Sequence, residues 1–176
     1  MRSSRSTIGA ALLAGSIAIG LNTALLAAAD WIPLVTARGG LLKLLTMFFG
    51  PYLSRAGVGS AWVRLGFPVP GGTTFQFGFH IVVGLAMALF YSVLLEARLP
   101  GRPWWKGLLY AAGVWIANAF IVLPLLDEGI AGSRNLGALG ITYYAAAHTL
   151  FFVLLAILFA RFDRSRLGQD RHVSIT

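Results

Sequence analysis

Apolar residues gather in four long runs: Ile8 to Ala29, about Thr74 to Leu95, about Gly107 to Leu126, and about Gly137 to Ala160. A helix crosses the hydrocarbon of a bilayer with about 20 mostly apolar residues. Each run therefore predicts a spanning helix. Each also carries Gly, Ala or Ser at helix-face spacing, which lets backbones approach closely in lipid. The predicted stripes are Ser16, Gly20 and Ala27 in the first helix, and Gly84 and Ala88 in the second. They are Gly107 and Ala111 in the third, and Gly140, Tyr144 and His148 in the fourth.

The segment from Asp30 to Gly72 is long yet not hydrophilic. Leu41, Leu42, Leu44, Leu45, Met47, Phe48 and Phe49 form a greasy run, interrupted by Lys43 and stopped by Gly50-Pro51. It is too short to span, so an interfacial or re-entrant helix is expected there. After Arg161 the chain turns polar and basic, which predicts a mobile tail near anionic lipid.

Composition supports a bilayer as the solvent. Of 176 residues, 57% are hydrophobic and 11% are charged, against roughly 25% charged in soluble domains. The absence of cysteine excludes disulfides, thiolate zinc sites and iron–sulfur clusters. The net charge of +8 sits between and after the apolar runs, not on a folded basic face. It therefore reads as topology and not as nucleic-acid binding.

Arg2, Arg5, Arg98, Arg102, Lys106, Arg161, Arg164, Arg166 and Arg171 fall on one side if four helices span. Arg38, Lys43, Arg55, Arg64 and Arg134 fall on the other. The positive-inside rule then puts both termini in the cytoplasm. A signal peptide ending at Ala27-Ala28-Ala29 is the rival for the first run. That run is longer than the usual 7–15-residue apolar core and contains Asn22, so an uncleaved helix is expected.

Two side chains inside the runs titrate near neutrality, His80 and His148. An ionisable group in hydrocarbon is costly and raises a functional hypothesis. Both sit on small-residue stripes that face the bundle, in its outer half and near one level. Asn118, Asp127, Glu128 and Tyr144 belong to the same zone, and Pro124 frees a carbonyl that kinks the third helix toward it. Three readings stay open. In the first, each histidine is a helix-packing contact. In the second, both titrate in a proton- or ion-responsive site with Asp127 or Glu128 as counter-charge. In the third, they ligate a haem, or a divalent metal with one carboxylate.

Enzyme chemistry finds little support. There is no Gly-x-Ser-x-Gly, no His-Glu-x-x-His and no phosphate-cradling glycine loop. Asp127 and Glu128 are adjacent on one helix end, point about 100° apart, and do not form an acid/base pair. Trp31, Trp104-Trp105 and Tyr143-Tyr144 read as interface anchors.

Several of these elements follow one another from Phe79 to Arg166. His80 opens the second helix, Tyr91 follows, and Glu96 closes it before Leu99-Pro100. Trp105, Gly107 and Leu108 open the third helix, which ends with Pro124-Leu125. His148 lies within the fourth, and an arginine-rich tail begins at Arg161. In this half of the chain the pattern resembles the YagU-like family of bacterial inner-membrane proteins. The resemblance implies an inner-membrane bundle of largely unknown activity, with a suggested connection to acid tolerance. It makes His80 and His148 equivalent to family positions and supplies no mechanism.

The expectation is an all-α integral membrane protein of one domain with four spans and a helical outer loop. Its partners are the lipid bilayer and, as an open possibility, a second copy or another membrane protein.

Overall fold

The computed structural model describes residues 4–32, 34–35 and 39–173. Arg2 and Arg38 of the charge balance lie outside them. It is an all-α membrane bundle, with no strand among the described residues. Helix α1 is Ser4–Trp31, α2 is Gly40–Arg55 and α3 is Val58–Arg64. Helix α4 is Thr73–Phe90 and continues through a wide turn, Tyr91–Leu95. Helix α5 is Pro103–Ala117 and continues through a second wide turn, Asn118–Val122, to Leu125. Helix α6 is Ala138–Val173. Four segments have the length and apolarity to cross a membrane: Thr7–Ala29, Thr73–Leu95, Pro103–Leu125 and Ala138–Asp163.

The closest pairings are α1 with α6, α5 with α6, and α1 with α4. Small residues make them possible. A Cβ on Gly107 would sit 2.6 Å from the Val153 Cα and 2.7 Å from the Phe152 carbonyl oxygen. A Cβ on Gly84 would sit 2.5 Å from the Ile19 side chain, and one on Gly15 would sit 2.6 Å from the Ala88 Cβ. These contacts pair residue 15 with 88 and 19 with 84, so α1 and α4 run antiparallel.

Helices α4 and α5 meet through larger side chains. Tyr91 and Tyr110 stack with ring centroids 6.0 Å apart, and Tyr110 packs on Phe152 at 4.4 Å. The Tyr110 hydroxyl donates to the Met87 carbonyl at 3.3 Å. Beside the aromatic stack, Lys106 Nζ bonds Glu96 Oε1 at 2.8 Å and the Glu96 carbonyl at 2.5 Å. The buried Tyr91 hydroxyl donates to the same carboxylate. The α4–α5 seam is thus closed at the end where the 96–102 turn lies.

Four details differ from the sequence reading. First, Ser16 and Gly20 of the predicted stripe face outward, whereas Ala27 lines a cavity between the helices. The buried face of α1 is Ala11, Ala14, Ala18, Asn22 and Leu26. Second, Gly50-Pro51 does not stop the greasy run, because Pro51 sits inside α2. No residue of α2 is buried, so the carbonyl that proline leaves unbonded lies at the surface, where solvent or headgroups can satisfy it. The stop comes later, at Gly57, whose φ of 69° is left-handed, and a further helix, α3, follows. Third, α5 begins at Pro103 rather than near 107, with proline in the first turn, where its missing N–H costs nothing. Fourth, the backbone from Arg161 to Val173 is helical, so α6 runs on past the apolar run that ends near Ala160. No proline interrupts that stretch.

Large apolar side chains point outward along the spans, among them Val82, Val93, Ile116, Phe120 and Leu139. Such a surface fits contact with lipid.

Candidate functional site

The polar residues of the spans converge at the α2 end of the bundle. Their level follows from helix register. Asn22 of α1 lies beside Ala147 of α6, with Asn22 Nδ2 donating to the Ala147 carbonyl at 2.9 Å. Ile19 of α1 lies against Gly84 of α4. Three residues up α1 from Ile19 to Asn22 correspond to three down α4, which brings Ile81 and its neighbour His80 level with Asn22. His148 follows Ala147, so the two histidines share one level.

They also share one cavity, of about 590 Å³. It is bounded by α1, α4, α5 and α6 and roofed by Gly39 to Leu42 at the start of α2. The polar groups on its wall include Asn22, His80, Asn118, Tyr144 and His148, and Trp115 adds an indole. Apolar side chains form most of the remainder. Among the described residues, no Asp, Glu, Lys or Arg lines it.

Local geometry aims several of these groups. The wide turn at Asn118 is marked by the Leu123 amide bonding the Asn118 carbonyl, one residue further back than in an α-helix. Pro124 accounts for it. Proline lacks the N–H for the carbonyl four residues back and clashes with it, and a wide turn relieves the clash. His148 Nδ1 lies 2.9 Å from the Tyr144 carbonyl, which can only accept, so Nδ1 carries hydrogen. The neutral imidazole then keeps a lone pair on Nε2. The rings of Tyr144 and His148 lie 4.1 Å apart, and Trp115 packs against Tyr144 at 6.0 Å.

Among the described residues, two buried side-chain polar atoms have no hydrogen-bond partner, Asn22 Oδ1 and His80 Nε2. Both residues line the cavity. An unpaired buried polar atom costs about 1–3 kcal/mol, so native proteins rarely tolerate one without an occupant beside it.

The structure brings together four of the six residues singled out in the sequence: His80, Asn118, Tyr144 and His148. Asp127 and Glu128 are elsewhere. Asp127, at φ 61°, pairs with Arg134. Glu128 bonds the Asn135 amide and reaches Lys43 Nζ at 3.4 Å. Both carboxylates tie the α5–α6 loop together, and Glu128 also tethers it to α2. Neither supplies a counter-charge in the cavity. Among the described residues, no three of His, Cys, Asp or Glu come together as a metal-ligand set.

Asn22 and Trp115 belong to the site and were not singled out as site residues from the sequence. Asn22 carried a usable signal, since a polar amide inside an apolar span seeks a partner as a histidine does. Searches of protein families, curated proteins and solved structures returned no match to this chain.

Proposed function

We propose that the protein is a pH-responsive, membrane-embedded binding protein. Its cavity takes a small, mostly apolar molecule, and protonation of His80 and His148 releases it. The observation that carries this reading is that both histidines line one cavity to which no other described residue brings a charged side chain. The volume lies within the roughly 300–1,000 Å³ of small-molecule pockets.

Among the described residues, the titratable groups that face this space are His80 from α4 and Tyr144 and His148 from α6. Helices α1 and α5 contribute Asn22, Trp115 and Asn118, which do not titrate. A proton gained by either histidine therefore meets no opposite charge on the cavity wall. It favours water over an apolar occupant, and two such protons repel each other. Affinity should fall as pH falls. We place the protein in a bacterial inner membrane with both termini in the cytoplasm, supported by the nine basic residues on that side against five on the other.

The test uses a variant that keeps Trp115 as the sole tryptophan, in lipid nanodiscs. Its emission should change as the pH is lowered from 8. The change should vanish when His80 and His148 are both replaced by Gln. An unaltered profile in that double variant sinks the reading.

A further inference from the structure

The cavity has a chemical polarity that narrows its occupant. We propose that it takes a neutral amphiphile of alcohol type, an apolar body ending in a hydroxyl, and that the hydroxyl docks between Asn22 and His80. This rests on the reading of the cavity as a binding site and names its ligand class.

Three observations support the assignment. Asn22 is 2% exposed, and its Oδ1 is an acceptor without a donor. Its amide nitrogen is already committed to the Ala147 carbonyl, which fixes the Oδ1 orientation. The occupant must therefore bring a hydrogen-bond donor to Asn22. His80 Nε2, also unpartnered, serves equally as donor or acceptor according to tautomer. A hydroxyl both gives and takes one hydrogen bond, so it matches the chemistry of both atoms. A neutral ligand suits the wall because, among the described residues, it holds no carboxylate to balance a cation and no Lys or Arg to balance an anion. Most of the remaining lining, including Leu26, Phe77, Val83 and Val114, is apolar and suits a hydrocarbon body, with Thr23, Thr73, Gln76 and Thr149 as further polar positions.

The experiment uses two bromine-tipped probes, an undecanol and its methyl ether, added to the Trp115-only protein in nanodiscs at pH 8. Bromine quenches tryptophan at contact. The alcohol should quench saturably at a concentration about tenfold below that of the ether, since the ether leaves a buried acceptor unpaired. The preference should fall to about onefold in His80→Leu and in Asn22→Leu. His80 is only half-buried, which keeps its variant informative if Asn22→Leu fails to fold. Equal saturable quenching by alcohol and ether overturns the hydroxyl assignment and leaves the binding cavity standing. A preference that survives both substitutions overturns the docking atoms. Absence of saturable quenching by either probe overturns the ligand class and the binding reading together.

Discussion

The Asn22 amide nitrogen donates to the Ala147 carbonyl across 2.9 Å, joining helices whose residues are 125 positions apart in the chain. The bond ties α1 to α6 at the level of the cavity. In a bilayer such an interhelical bond contributes about 0.6 kcal/mol. The same side chain leaves Oδ1 unpaired, which opposes that gain. The cost of about 1–3 kcal/mol for the unpaired acceptor exceeds that gain. Asn22→Leu should therefore leave stability unchanged or raise it by up to about 2 kcal/mol while removing a buried acceptor of the cavity. Reversible unfolding in mixed micelles measures this, and a loss above about 3 kcal/mol would show that Oδ1 is partnered in the membrane.

Glycines make a sharper contrast. A Cβ at Gly107 would collide with the Val153 and Phe152 backbone, which cannot rotate aside, whereas one at Gly113 meets nothing within 4 Å. Gly107→Ala should destabilise by about 1–3 kcal/mol by forcing α5 away from α6. Gly113→Ala should be neutral or stabilising by up to about 1 kcal/mol, from helix propensity alone. Thermal unfolding of the pair decides it. Equal effects would mean that α5 and α6 do not approach at Gly107.

Much of this was legible beforehand. Four spans follow from apolar run length, and Gly84, Ala88, Gly107 and Ala111 are buried where their spacing put them. The inward face of α1 was not legible from small residues, because that helix is small on two faces. Ser16 and Gly20 compete with Ala11, Ala14 and Ala18, and only Asn22 distinguishes the faces. The histidines could be placed near one level but not in one cavity, since that depends on the gap between α4 and α5. Asp127 and Glu128 were near the site in sequence and absent from it in space. Their partners Arg134, Asn135 and Lys43 are loop contacts that no periodicity encodes.

The Lys106–Glu96 pair closes the opposite end of the same seam. Its side chains are 14% and 21% exposed, so water only partly compensates a broken partner. Lys106→Met leaves the Glu96 carboxylate with the Tyr91 hydroxyl alone and should cost about 1–3 kcal/mol, below the roughly 3–5 kcal/mol of fully buried pairs. Adding Glu96→Gln removes the stranded charge, so the double variant should be more stable than Lys106→Met. A double-mutant cycle with no coupling would mean that the pair is solvated.

The loop carboxylate Glu128 predicts an acid-sensitive hinge outside the membrane. Its hydrogen bond from Asn135, aided by Lys43, holds its pKa below the ordinary carboxylate value, against a smaller opposing effect of burial. A depressed folded pKa means that the carboxylate contributes stability above the unfolded pKa and loses it as pH falls through the folded one. The contact between α2 and the α5–α6 loop should therefore loosen below about pH 4, where carboxylates take up protons. Lys43 is 60% exposed at its side chain, so the effect is local and does not unfold the bundle. Hydrogen exchange at residues 39–43 and 128–135, corrected for intrinsic rates, should rise on acidification in the native chain. In Glu128→Gln it should already be raised at neutral pH and rise no further. The same acid-induced rise in Glu128→Gln would assign the hinge to another group.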